Sequence, residues 1–248
     1  MNFDTQVDAF QHHPLGQRFP DSPHAVCVSL PTMADVIGYE EKDPAVVETM
    51  KSGYPRFFLP EFVRQLAEHI ANEISSEPRD VLLVNSSRAA SELLAFIGLP
   101  SAKAEDEDGF AYIHFPQDPD TYKKAFNFLQ HTGCGISSRQ AEDLLLREGL
   151  LSSIFAEETV PADLAESTVH QNLSSIVGIP EDDILLCNSG MNAFYAAYLA
   201  ACEIQRPQGR DIWIQLGWLY LDTREILEKF LGPDERLIRH LDVFDVDG

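Results

Sequence analysis

Basic residues are scarce in this chain. Its 248 residues carry 18 lysines and arginines against 40 aspartates and glutamates, a net charge of −22. A surface so acidic repels phosphate backbones unless a local basic patch overrides the field. The sequence holds no such patch, which argues against nucleic acid as a partner. Cysteine is scarce too, with Cys27, Cys134, Cys187 and Cys202 alone. No two form C-x-x-C and none stands at zinc-ligand spacing from a histidine. They read as free thiols of a reducing compartment. No apolar run is long enough to span a bilayer. The first residues show no basic segment before an apolar stretch, so no signal peptide is expected and the expected location is cytoplasmic.

Glycine is missing where a dinucleotide loop needs it. Val81-Leu-Leu-Val-Asn-Ser-Ser87 offers none for G-x-G-x-x-G. Gly133-Cys134-Gly135 lacks the Lys-Ser/Thr of a phosphate loop and reads as a helix-ending turn. His12-His13 has no acid or cysteine at ligand spacing, so it reads as a solvated pair and no metal is expected.

A hydrophobic fraction of 44% is ordinary for a folded protein. Residues 1–31, with Pro14, Pro20, Pro23 and Pro31, read as an extended arm. Asp43-Pro44 opens a short helix. Phe62, Val63, Leu66, Ile70 and Ile74 recur at helical spacing over 60–74. Strands are expected at 80–85, 110–115, 184–187, 211–216 and 236–243. Helices are expected at 87–98, 119–131, 137–148, 163–177, 191–205 and 223–231. The acidic run Glu105-Asp-Glu-Asp108 reads as a solvated loop edge. Strands alternating with helices imply an α/β fold, a mostly parallel sheet with flanking helices. The organisation expected is an arm over 1–60, an α/β segment of unassigned role over 61–178, and a second α/β segment from 179.

The stretch 184–201 carries the most chemistry. An apolar strand candidate runs through Ser189-Gly190-Met191 into an alanine-rich helix. Such a junction points free backbone N–H groups outward, and the helix dipole adds positive potential there, so the turn suits a phosphate.

Three pieces in this order, Gly53-Tyr54-Pro55-Arg56, Ser189-Gly190-Met191 and Tyr220-Leu-Asp-Thr223, resemble the trans-sulfuration enzymes. That family is the cystathionine γ-synthase-like branch of the fold-type-I pyridoxal-phosphate (PLP) enzymes. The leader 24–41 with Ser52-Gly-Tyr-Pro-Arg-Phe-Phe58 resembles the fungal-type cystathionine γ-synthases. The resemblance covers about 20–60 and 180–245. It implies the N-terminal portion of a fold-type-I large domain, begun at 179–248, with PLP as cofactor. It also implies a homo-oligomer whose active site forms between subunits, a small amino-acid substrate, and transferase or lyase chemistry in methionine biosynthesis. By the resemblance, Tyr54 and Arg56 reach the phosphate of a neighbouring subunit's cofactor. An arginine suits this because its planar fork binds two phosphate oxygens. Ser189, Gly190 and Met191 hold the phosphate within the subunit. Tyr220 stacks on the ring and its hydroxyl relays protons near the substrate, the catalytic role in this set.

The sequence departs from the family pattern at three places. Phe57-Phe-Leu-Pro-Glu61 stands where Asn-Pro-Thr is usual, and Leu221-Asp222 where Gly-Gly is usual. No lysine follows Tyr220 in a small, Ser/Thr-rich strand end, as covalent anchoring of the cofactor requires. Lys229 reads instead as an i,i+4 surface partner of Glu225. The resemblance therefore implies part of an enzyme that joins an activated homoserine ester to cysteine by γ-replacement, inactive alone. The alternative is a non-catalytic shortened relative that binds or regulates a full-length subunit. Incubated with PLP and borohydride, the chain is expected to gain no stable adduct on any single lysine, read by peptide mass spectrometry; stoichiometric modification of one lysine overturns this.

Overall fold

The computed structural model describes residues 13–53 and 58–244. They form two compact units, residues up to 130 with 134–154, and 131–133 with those from 155.

The first unit is built on an antiparallel sheet. β3 (Arg79–Val84) and β4 (Lys103–Glu107) flank β5 (Phe110–Pro116) in the order β3-β5-β4, both pairings antiparallel. This corrects the expectation of a mostly parallel sheet. The reason lies at Asp108-Gly109, where Gly109 takes a φ of 87° and the chain reverses at once into β5. A two-residue reversal can only give antiparallel neighbours. It also corrects the reading of 105–108 as loop. The acidic run is the solvated edge strand β4, and outward charge is what an edge strand carries.

β5 alternates between two covered faces, as period-two geometry demands. Phe110 and Tyr112 pack with Val81 and Leu83 against α3 (Glu61–Ile74) and α6 (Ser138–Arg147). The other strand positions, among them Ile113 and Phe115, are buried as well, and α4 (Ser87–Ile97) lies along the sheet. Phe96 of α4 meets Phe128 of α5 (Pro119–Thr132), their ring centroids 5.4 Å apart. Ser137 caps α6 by accepting the Gln140 amide, and Gly98 ends α4 in the left-handed region, φ 64°.

The segment read as an arm is pinned to this unit. β1 (Arg18–Phe19) and β2 (Cys27–Val28) form a short antiparallel ladder. Buried His24 has its ring nitrogens 3.0 Å from Ser138 Oγ and 3.2 Å from Glu142 Oε2. α1 (Met33–Glu40) starts from a capping box of Thr32 and Asp35, and α2 (Pro44–Val47) from Asp43.

The second unit holds α7 (Ala162–Val177), α8 (Gly190–Gln205), β6 (Ile212–Leu216), α9 (Leu221–Lys229) and β7 (Arg236–His240). β6 and β7 pair in parallel, the one parallel pairing among the described residues. Met191, Tyr195, Tyr198 and Cys202 of α8 pack with Ile226 and Leu227 of α9, and Trp213 and Leu237 bring the strands onto them. The expected buried strand at 184–187 is not formed. A short 3-10 turn at Glu181–Asp183 leads into a stretch without a ladder partner, and Leu185 is 89% exposed. Its hydrophobicity suits a strand, but a strand is held only by neighbours to bond.

Arg206 and Glu235 hold the far end of this unit. The guanidinium donates to both carboxylate oxygens, at 2.8 and 2.9 Å, and the Gly232 amide adds a 2.6 Å bond. The arginine fork holds the Glu235 carboxyl down at about 2. A pKa lowered in the folded state adds stability above the unfolded value of 4.5, and that gain disappears as pH falls toward 2. Glu235→Gln is therefore expected to cost about 1–3 kcal/mol at neutral pH. In melts from pH 7 downward, its deficit against the parent chain should shrink through that acidic window.

Candidate phosphate seat at the start of α8

The start of α8 is fixed by its own residues. Ser189 has extended backbone, φ −159° and ψ 166°, and its Oγ accepts the Asn192 amide at 3.1 Å. This is the N-cap bond that small hydroxyl side chains make, and it engages one of the helix's unbonded donors. Asn192 Nδ2 donates to the Thr132 carbonyl at 3.2 Å. Gly133, at φ 61°, packs so closely that an added Cβ would lie 2.3 Å from Ser189 Oγ and 2.9 Å from the Asn192 nitrogen. Met191 is buried in the core and keys the first turn in place.

Gly190 is different. It is exposed, and a Cβ there would meet nothing within 4 Å. The amides of Gly190 and Met191 have no acceptor one turn back within the helix. At the positive end of this sixteen-residue helix, Gly190 thus faces an open approach, with the buried Met191 behind it. This donor set fits the phosphate end of PLP, since an oxyanion can come close to backbone where no side chain intervenes.

Tyr220 immediately precedes α9, with φ −55°, and is 58% exposed. The helix it precedes shares the core of Met191 through Ile226 and Leu227. Tyr54 and Arg56 lie outside the described residues. Of the expected site residues, the structure places Ser189, Gly190 and Met191 in one turn, and Tyr220 ahead of a helix packed on the same core.

One group was not foreseen. Lys229 Nζ lies 3.2 Å from Glu225 Oε2, the expected i,i+4 pair, but also 2.7 Å from His131 Nε2. His131 and Asp222 are both buried, with Nδ1 and Oδ1 3.4 Å apart. Burial alone would raise the Glu225 carboxyl, yet hydrogen bonds from Arg224 and Lys229 hold it below its ordinary range. Asp222 occupies the second residue of α9, where an acid favours the helix dipole. An acid in a helix's first turn was the signal available in sequence, but nothing there named His131 as its neighbour. Among the described residues no group of His, Cys, Asp and Glu is arranged to hold a metal, and His13 stacks edge-on against Phe19 at 4.8 Å. No described helix is long and apolar enough to cross a membrane.

The chain is 39% identical over 217 residues to the L-2-amino-4-chloropent-4-enoate dechlorinase/desaturase of Streptantibioticus cattleyicolor, covering 87% of this chain and 43% of that protein. It is 25% identical to the cystathionine gamma-synthase of Neurospora crassa, covering 94% of this chain and 57% of the relative. A cystathionine gamma-synthase-like enzyme of Amanita muscaria is 24% identical, with 92% of this chain and 50% of that protein covered. The chain belongs to the cystathionine γ-synthase-like family. This family member spans about half the length of the curated relatives it matches. No family model and no solved structure matches it.

The two glycines at this seat are expected to behave oppositely. Gly133→Ala forces a Cβ into Ser189 at a positive φ and should cost more than 1 kcal/mol. Gly190→Ala meets open space and should leave stability unchanged or slightly raised. Urea titrations of the two variants check this.

Proposed function

We propose that this chain contributes the phosphate-binding part of a PLP-dependent enzyme acting at the γ-carbon of an amino acid. The observation that carries the reading is the open helix start at Gly190, capped by Ser189 and keyed by Met191. The amides of Gly190 and Met191 would hold the cofactor phosphate, with the helix dipole behind them. Tyr220 would lie on the ring face and fix its tilt, its hydroxyl holding or passing a proton beside the substrate. Tyr54 and Arg56 of a neighbouring subunit would close over the phosphate. PLP, when bound, supplies an electron sink for negative charge at the substrate carbon.

The substrate class is an α-amino acid with a leaving group on Cγ. An activated homoserine ester attacked by cysteine is one member, as the cystathionine γ-synthase relatives suggest. The chloropentenoate in the name of the 39%-identical relative is another, since its chlorine sits on the same carbon. The higher identity to the dechlorinase favours loss of a small leaving group over joining of two amino acids. The alternative is a non-catalytic relative that binds or regulates a full-length subunit; under it, Gly190 has no phosphate to hold.

Comparing PLP with pyridoxal isolates the phosphate contact. The parent chain is expected to bind PLP more tightly than pyridoxal in equilibrium dialysis. Gly190→Asp should cut that preference about tenfold, the loss of roughly one charge-assisted hydrogen bond, while the melting temperature stays unchanged. An undiminished preference sinks the assignment.

A further inference from the structure

Three consecutive residues where α5 ends, His131-Thr132-Gly133, belong to the second unit and touch both elements of the candidate site. On one side they meet the start of α8. The Thr132 carbonyl accepts from Asn192 Nδ2, and Gly133 lies against Ser189. On the other side His131 meets α9, which begins directly after Tyr220. The buried imidazole has unlike partners at its two nitrogens. Lys229 Nζ, 2.7 Å from Nε2, is an ammonium that carries donors alone, so Nε2 accepts. The ring proton then sits on Nδ1, which faces the Asp222 carboxylate at 3.4 Å. One tautomer therefore serves both partners, and a single ring links the first turn of α9 to its last residue. The Tyr220 carbonyl accepts the Arg224 amide at 3.2 Å, so the tyrosine backbone goes where this helix goes.

We propose that His131 is a positioning residue for Tyr220. It holds α9 to the same short segment that holds the phosphate seat, and so sets the tyrosine's place relative to the Gly190 and Met191 amides. This rests on the cofactor reading above and adds to it the group that fixes the ring contact. A ring anchored only by its phosphate still swivels about that anchor. An aromatic neighbour restrains it only when that neighbour is itself held. Tyr220 is 58% exposed, so close packing does not fix its place. The helix that follows it does, and His131 is the buried polar group that ties this helix to the segment bearing Thr132 and Gly133.

The test uses the 248-residue chain and pyridoxine 5′-phosphate, which has no aldehyde and so bonds to no lysine. Free, this probe is achiral; held at one tilt, its ring gains circular dichroism at its own absorption band, and the parent complex should show that signal. His131→Leu should lose most of it, while the preference for pyridoxine 5′-phosphate over pyridoxine in equilibrium dialysis stays within about twofold. His131→Gln should restore it, since its amide oxygen accepts from Lys229 and its amide nitrogen donates to Asp222. Without ligand, hydrogen exchange at 221–229 should quicken about fivefold in His131→Leu, the loss of roughly one buried hydrogen bond, and recover in His131→Gln, with 190–193 unmoved. Should His131→Leu not fold, Lys229→Met carries the same comparison, because Lys229 is an exposed residue. An unaltered ring signal or unaltered exchange at 221–229 overturns the proposal. So does a signal lost equally in His131→Gln, or one lost together with the phosphate preference. A parent chain without that preference sinks the cofactor reading itself, and the role given to His131 goes with it.

Discussion

A β-strand satisfies its backbone only through its neighbours, and this constraint sorts the two units of the molecule. In the first, β5 has a partner on each edge and helices along the sheet, so its residues from Phe110 to Phe115 are all buried. In the second, β6 is composed for the same surroundings but meets one partner and one covered face. The contrast is not one of hydrophobicity, which both strands have. It is one of supply, since an apolar strand without a second neighbour leaves its amides and carbonyls on that edge to water. The apolar residues of 184–187 fail to form a strand for the same reason.

The seat at Ser189-Gly190-Met191 depends on a different balance, between rigidity and access. Ser189 spends its hydroxyl on the Asn192 amide, and Gly133 packs against that bond, so the turn is shaped before any ligand arrives. Gly190 keeps the approach open. Such preorganisation lowers the cost of binding, because no loop must be ordered at that moment. The net charge of −22 matters here as well. An acidic protein that takes an anionic group needs its positive potential close and local, and backbone amides at a helix end supply it without side-chain cations.

Helices were the legible part of the sequence. The apolar spacing of α3, the Ser137 cap of α6 and the glycine stops at Gly98 and Gly178 each state a local rule, and the structure obeys them. Strand partners were not legible, because pairing is a property of distant segments. The alternation of strands and helices suggested parallel neighbours, while the Asp108-Gly109 reversal, the one local signal for an antiparallel pair, was masked by acidity read as loop. The box of Thr32 and Asp35 that starts α1 was likewise in the sequence and was passed over as part of an extended arm. At the candidate site the contiguous turn was readable and its clamp was not. Gly133 and Thr132 lie more than fifty residues from Ser189, and no spacing rule connects them.

Where the resemblance has Gly-Gly after the tyrosine, this chain has Leu221-Asp222, and larger residues there would ordinarily argue against a ligand close to Tyr220. The structure gives the acid another task. Asp222 is buried in the first turn of α9, facing His131, whose other nitrogen meets Lys229 at the end of the same helix. An acid near the N-terminus and a lysine near the C-terminus both favour the helix dipole, and one imidazole spans them. The Asp222 carboxylate is thus directed into this packed network, while Tyr220 is an exposed residue. The acid that stands where a glycine pair is usual is thus taken up by His131 inside the packing and adds no charge to the exposed surface beside Tyr220.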